Sequence, residues 1–349
     1  METASTASAT AAVAYWVSAA LLLVYAVGGS IEFGAGAFYT WTRLTGRNEK
    51  ASAAVMRFMS PLWETTNVFL IAFMVSMVAF FPGSLSYLTR AFFVTGAAGL
   101  LFLVLRGVLF TYLYLNRQQT GRLAALVFGL SGLLAPACFS LFIPLLAGAG
   151  PASGQALASS GLAWVVPFLT ISYLLELGGS FLAYYVARED KDTGLASWFA
   201  RAAASVTPVL LVLLALFLSL LSVQVPRQWE ALRSFPAIVA VVIALLLLVL
   251  AARWQWRGER YGASLTVALL SFALLFIVGA ATHLPYLVEA GAGTATSSIT
   301  IDQALVNRSM LRSLLITLVA GLALVVPLLI WLYRVFLFHP VDQSPGQPS

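Results

Sequence analysis

From Ala12 to Phe338 the sequence is a succession of apolar runs, separated by short stretches that carry arginine, glycine or proline. Each run is about as long as a helix must be to cross the hydrocarbon core of a bilayer, roughly 20 residues. This feature constrains the fold more than any motif. Lipid offers no hydrogen-bond partners, so a spanning segment must satisfy its own backbone, and runs of this length do so as helices. Only 9% of the 349 residues are charged and 61% are hydrophobic, whereas soluble domains carry about 25% charge. The expected fold is an all-α polytopic membrane protein with nine transmembrane helices. The spans are Ala12 to Trp41, Pro61 to Phe81, Arg90 to Leu115, Leu123 to Ala147, Leu162 to Val186, Ala202 to Val223, Phe235 to Ala252, Ala263 to Pro285 and Leu311 to Phe338. Residues 1–349 read as one integral membrane domain, with a short external N-terminus (1–11) and a cytoplasmic tail (339–349).

Charge placement supports this count. If the loops after spans one, three, five and seven share a side with the C-terminus, thirteen of the 19 basic residues lie there and five lie opposite. Positive charge favours the cytoplasmic side, so the N-terminus is expected outside and the C-terminus inside. The net charge of +6 is dispersed in these loops and forms no patch, which excludes nucleic acid as a partner. The single cysteine, Cys138, excludes a disulfide within the chain. The N-terminal segment METASTASAT lacks the basic region of a signal peptide, so the first span is expected to be retained.

A faint repeat links spans one and five. VGGSIEFGAGAF and LLELGGSFLAYY each contain Gly-Gly-Ser and a glutamate. Glu32 precedes Arg43, and Glu176 precedes Arg188, by nearly the same spacing. At 1.5 Å per residue both acids fall roughly 16–18 Å from the basic edge, near mid-membrane. Two parallel four-helix units plus a peripheral ninth helix are therefore expected, with convergence as the alternative. Gly28, Gly29, Gly34 and Gly36 allow close helix packing.

Ionisable residues inside a span are functional candidates, because a central charge costs about 2.5–3.5 kcal/mol on insertion scales. The set is Glu32, Glu64, Glu176 and Arg106. A buried carboxyl group that gains and loses a proton is what a proton path requires. Glu64 lies in SPLWETTNVFL, with Asn67 three residues on and on the same helical face. Two readings of it stand. Ser60 and Pro61 can form a helix start, which puts Glu64 in the first turn against the helix dipole. Alternatively, Glu64 handles protons. Arg106 is expected to anchor a carboxylate or a carbonyl. His283 and His339 lie at or beyond span ends and cannot face each other as a haem pair within the bilayer, so no haem or metal site is expected in this chain.

These residues resemble a family. GGSIEFGAGAFYTWTRLTGRNEK followed by SPLWETTNVFL is similar to the first two helices of subunit II of cytochrome bd-type quinol oxidases. The matching positions are Glu32, Gly34, Gly36, Gly46 to Asn48, Pro61, Trp63 and Glu64, and SSITIDQALVNRSMLRSLLI resembles the segment leading into the last helix. The resemblance covers the chain up to Leu115 and from Ser297 onward; the middle matches only in helix count and length. Leu62, Thr65, Thr66 and Gly29 depart from the common pattern.

The resemblance implies a heterodimer with a homologous subunit I, joined in some members by a small single-helix subunit. It implies quinol oxidation coupled to reduction of O2 to water at the prokaryotic cell membrane, with haems b and d and the quinol site in subunit I. It further implies that this chain supplies scaffold, part of a proton path through Glu64, and an oxygen route past Trp63; Glu32 and Asn67 join that path as candidates from their own positions in the spans. Glu176 and Arg106 remain as other buried polar residues. Two different readings compete: a proton-coupled secondary transporter, and a quinone-binding anchor of another oxidoreductase.

Overall fold

The computed structural model describes residues 8–46, 49–116, 121–148, 160–289 and 298–338; of 49, 57–58, 60–65 and 332–338 it describes the backbone alone. The long helices are α1 (Ala9–Thr45), α2 (Glu49–Phe80), α3 (Leu85–Leu115), α4 (Arg122–Ser140), α6 (Gly161–Tyr185), α7 (Thr193–Gln224), α9 (Phe235–Arg257), α10 (Tyr261–His283) and α12 (Arg308–Phe338). Short helices α5 (Phe142–Leu146), α8 (Pro226–Leu232) and α11 (Ile301–Ala304) lie between them. Among the described residues, eight helical segments are long and apolar enough to cross a membrane. The remaining expected crossing falls on α2, whose described apolar part is Thr66–Phe80.

The helices form two groups of four. In one, α1 packs on α2 and α4, and α3 packs on α4. In the other, α6 packs on α7 and α10, and α9 packs on α7 and α10. The groups meet along α1 and α6, while α12 touches the rest through α2 and α1. The main core lies at the junction, where Phe38 of α1 meets Phe199 of α7 edge-on at 5.6 Å between ring centres, and Phe128 of α4 meets Tyr39 at 6.0 Å.

The α1–α6 crossing explains two glycines. A Cβ on Gly34 would sit 1.9 Å from the Leu174 carbonyl oxygen, and one on Gly178 would sit 2.7 Å from the Gly34 backbone. Each glycine lies two residues after its helix's glutamate. Positions two apart on a helix differ by about 200°. Where the glycines face the seam, Glu32 and Glu176 therefore face away from it, each into its own group. Counted from their glutamates, Gly34 and Gly178 occupy the same position and touch, whereas the two Gly-Gly-Ser triplets lie on opposite sides of their glutamates and do not align.

One end is closed by polar contacts. The Arg227 guanidinium donates to both carboxylate oxygens of Glu289, at 2.8 and 2.9 Å, and to the carbonyls of His283 and Leu284. Strands β1 (Tyr286–Val288) and β2 (Ile299–Thr300) pair antiparallel beside it. Thr300 and Gln303 then form a reciprocal capping box for α11. Asp302 accepts from the Ser8 amide and hydroxyl, which ties the start of α1 to this end.

Three sequence expectations change here. α2 begins at Glu49, so Pro61 is internal and Glu64 is about four turns from the helix start. The first-turn reading of Glu64, with Ser60 as cap, is withdrawn. The reason lies upstream: Ala51, Ala54, Val55, Met56 and Met59 are buried in the core, and this alanine-rich face extends the helix. α9 continues past Ala252 to Arg257. Finally, the strand pair and short helices add connecting structure that hydropathy does not register.

Candidate functional site

Glu32 and Arg106 meet inside the first helix group. Both are fully buried, at 1% and 0% exposure. Arg106 Nη2 donates to the Glu32 carboxylate Oε1 at 3.3 Å and to the Glu32 backbone carbonyl at 3.2 Å. The Thr66 hydroxyl of α2 also bonds the Glu32 side chain. Three helices therefore converge on one carboxylate.

The guanidinium is held by packing as well as charge. It is sandwiched between the rings of Phe33 and Phe128, 4.7 and 4.5 Å from their centres. Desolvated cation–π contacts of this kind contribute up to about 2 kcal/mol. Its third side rests on glycine. A Cβ on Gly36 of α1 or Gly132 of α4 would lie 2.7 or 2.3 Å from Nη1, so any side chain there would push the guanidinium off its ring stack. Nη1 and Nε find no hydrogen-bond partner among the described residues. Arg106 thus spends its directional bonding on Glu32 alone, and ring faces cover the rest. Tyr25, two turns before Glu32 on the same face of α1, is also buried, and its hydroxyl has no partner among the described residues.

Chemically this is a charge-compensated acid in an apolar interior. Arg106 makes the ionised form of Glu32 tolerable, and Thr66 bonds the carboxyl in either protonation state. Thr66→Val keeps the shape of this contact and deletes the hydroxyl. It is expected to destabilise the protein by about 1.5–3 kcal/mol, as for a bond to a charged group, while Thr66→Ser restores stability. Thermal melting of the detergent-purified protein measures this.

The sequence-derived candidates separate in space. Glu32 and Arg106 come together, and Arg106 touches both a carboxylate and a carbonyl. Glu176 lies in the other group, bonded to Ser180 and Gln255. Asn67 is half-buried on α2, next to Thr66. The side chains of Trp63 and Glu64 fall outside the described residues. Sequence reading missed Thr66 and Gln255 as partners. Gln255 reads as loop because Arg253 and Arg257 flank it, yet it is 1% exposed. Its signal was position: in an extended α9 it lies one turn past the buried Ala251.

His283 has both ring nitrogens engaged, Nδ1 with Gln228 Nε2 at 2.7 Å and Nε2 with the Leu287 carbonyl at 3.0 Å. Among the described residues, no group of three or more His, Cys, Asp or Glu side chains is arranged to hold a metal ion.

A family model described as cytochrome bd terminal oxidase subunit II matches residues 10–336. The chain belongs to this family. The structure is similar to a chain of the bd oxidase from Geobacillus thermodenitrificans, with a TM-score of 0.79 and 26% sequence identity, over 95% of this chain and 100% of that one. The sequence is also 33% identical over 127 residues to a Bacillus subtilis (strain 168) protein named as a cytochrome bd menaquinol oxidase subunit II. That match spans 36% of the relative's length. Within this subunit II fold, the Glu32–Arg106 pair sits in the first helix group, beside the α1–α6 seam.

Proposed function

We propose that this chain is the haem-free subunit of a terminal oxidase that oxidises quinol and reduces O2 to water. The observation that carries the reading is the structural match to a bd oxidase chain over 95% of the sequence. The partner is a homologous subunit I that holds haems b and d, which supply electron transfer and oxygen reduction there. A small single-helix subunit, the prokaryotic cell membrane, and a topology with the N-terminus outside and the C-terminus inside belong to the same proposal.

In this reading the chain supplies scaffold, a proton path through Glu64, Asn67 and Glu32, and an oxygen route past Trp63. Counted along the sequence from Glu64, Val68, Ile71, Val75 and Val78 form an exposed stripe of α2. Thr66, two positions after Glu64, turns towards Glu32. Protons taken up at Glu64 pass by way of Asn67 and Glu32, which Thr66 links to α2, and leave the chain for the partner subunit. A transporter reading has less support. Transporter sites are commonly built from broken helices at a shared midplane site. Here α1 and α6 are continuous through their glutamates, and the two acids occupy separate groups.

Glu64→Gln in the assembled oxidase tests the proton role. The expected outcome is retained haem absorption with oxygen consumption reduced about 100-fold, within the usual range for losing a proton-transfer group. Oxygen consumption at the parental rate would remove Glu64 from the path.

A further inference from the structure

The second helix group contains its own buried acid, and its surroundings differ from those of Glu32 in one decisive respect. Glu176 is fully buried, and no arginine or lysine among the described residues lies within salt-bridge distance of it. Tyr173, one turn earlier on α6, is the nearby titratable group, and it is neutral at ordinary pH.

The hydrogen bonds around Glu176 fix the orientation of its partner. The Ser180 hydroxyl has one proton, and it donates it to the Glu176 backbone carbonyl at 2.7 Å, the usual bond of a helical serine to the carbonyl four residues back. The Ser180 oxygen is then left to accept from Gln255 Nε2 at 2.6 Å. The same nitrogen donates to Glu176 Oε1 at 3.0 Å. This sets the amide with its nitrogen towards the acid. Two buried acceptors then remain without a donor among the described residues: Glu176 Oε2 and Gln255 Oε1. They belong to two groups already joined through their other atoms. Buried polar atoms are nearly always hydrogen-bonded, and a carboxylate has no proton to offer, whereas a carboxylic acid has one.

We propose that Glu176 is a proton-binding site, holding its proton at neutral pH as a carboxylic acid paired with the Gln255 carboxamide. The proton sits on Oε2 and is donated to Gln255 Oε1, while Gln255 Nε2 donates to Glu176 Oε1. One proton satisfies both orphaned acceptors and removes a charge that nothing nearby compensates. Counted from the two glutamates, the surrounding positions differ in chemistry. The residue four after each glutamate matches the donor that arrives. Gly36 leaves room for the Arg106 guanidinium, and Ser180 supplies the oxygen that orients the Gln255 amide. The third long helix of each group provides that donor, α3 in the first and α9 in the second. One acid is held against a cation, the other against an amide and its own proton.

The test is Glu176→Gln in the assembled complex, compared with the parent by infrared difference spectroscopy in H2O and D2O. Glutamine reproduces the protonated acid: its carbonyl accepts from Gln255 Nε2, and its amide donates to Gln255 Oε1. The variant should assemble at the parental yield. The difference spectrum should lose a carbonyl stretch of a protonated carboxylic acid, shifted to lower frequency in D2O. Loss of carboxylate bands in place of that stretch would overturn the proposal. Failure of the variant to assemble would also overturn it, since a neutral isostere preserves every bond the proposal requires.

Discussion

Arg106→Leu should abolish accumulation of the folded chain or lower its melting point sharply. The substitution removes the cation and leaves the Glu32 carboxylate at 1% exposure with Thr66 as its remaining side-chain donor. Breaking one side of a buried ion pair costs about 3–5 kcal/mol, because the other charge stays buried and uncompensated. Typical domains have about 5–15 kcal/mol of stability in all, so the loss is a large fraction of the total. Leucine also forfeits the stack between Phe33 and Phe128. The double variant Arg106→Leu with Glu32→Gln should recover much of the loss, since the remaining amide is neutral and Thr66 still reaches it. Fluorescence-detected size-exclusion melting of detergent-solubilised protein measures both. A single variant that melts like the parent would mean that the pair anchors nothing.

The seam between the helix groups is expected to be equally intolerant. Gly34→Ala or Gly178→Ala places a methyl group where backbone already stands, 1.9 Å from the Leu174 carbonyl oxygen in the first case and 2.7 Å from Gly34 in the second. A flexible side chain can move away from such an intrusion, but backbone at a helix crossing moves only with the whole helix. Overpacking of this kind costs about 1–3 kcal/mol and occasionally more, and here it shifts one four-helix group against the other. Each alanine variant should lose at least that much stability, and valine should prevent folding. Gly279→Ala and Gly321→Ala serve as controls, because no described residue of another element lies within 4 Å of a Cβ at either position. They should be neutral or gain up to about 1 kcal/mol from helix propensity. Equal melting of seam and control variants would refute the close approach of α1 and α6.

Much of this architecture is legible in the sequence because lipid leaves so few options. Hydropathy alone places the apolar helices, since a segment in hydrocarbon must satisfy its own backbone. The two mid-membrane glutamates stand out for the same reason, as does the pairing tendency of Arg106. What stays hidden is set by tertiary contact. The start of α2 was obscured by Pro61, because a proline after a serine reads locally as a helix start, while the buried alanine face upstream makes it helix interior. Gln255 was obscured by its arginine neighbours, which resemble loop sequence although α9 continues through them. Thr66 was overshadowed by Glu64 and Asn67, since nothing in a single chain indicates which of the four consecutive polar positions from Glu64 to Asn67 turns towards α1. The shared Gly-Gly-Ser draws attention to the wrong positions, because the two triplets fall on opposite sides of their glutamates. The equivalence that matters is the pair Gly34 and Gly178, each two residues beyond its glutamate, and it emerges only when the helices are seen in contact.

The central claim, that this chain is the haem-free half of a quinol-oxidising complex, is tested most directly by affinity purification of the tagged chain from native membranes, with haem quantified and copurifying chains identified by mass spectrometry. The account predicts one stoichiometric polytopic partner that arrives with all the haem, and no haem in the chain expressed without that partner. Haem bound to the isolated chain, or a stable partnerless chain in native membranes, would contradict it.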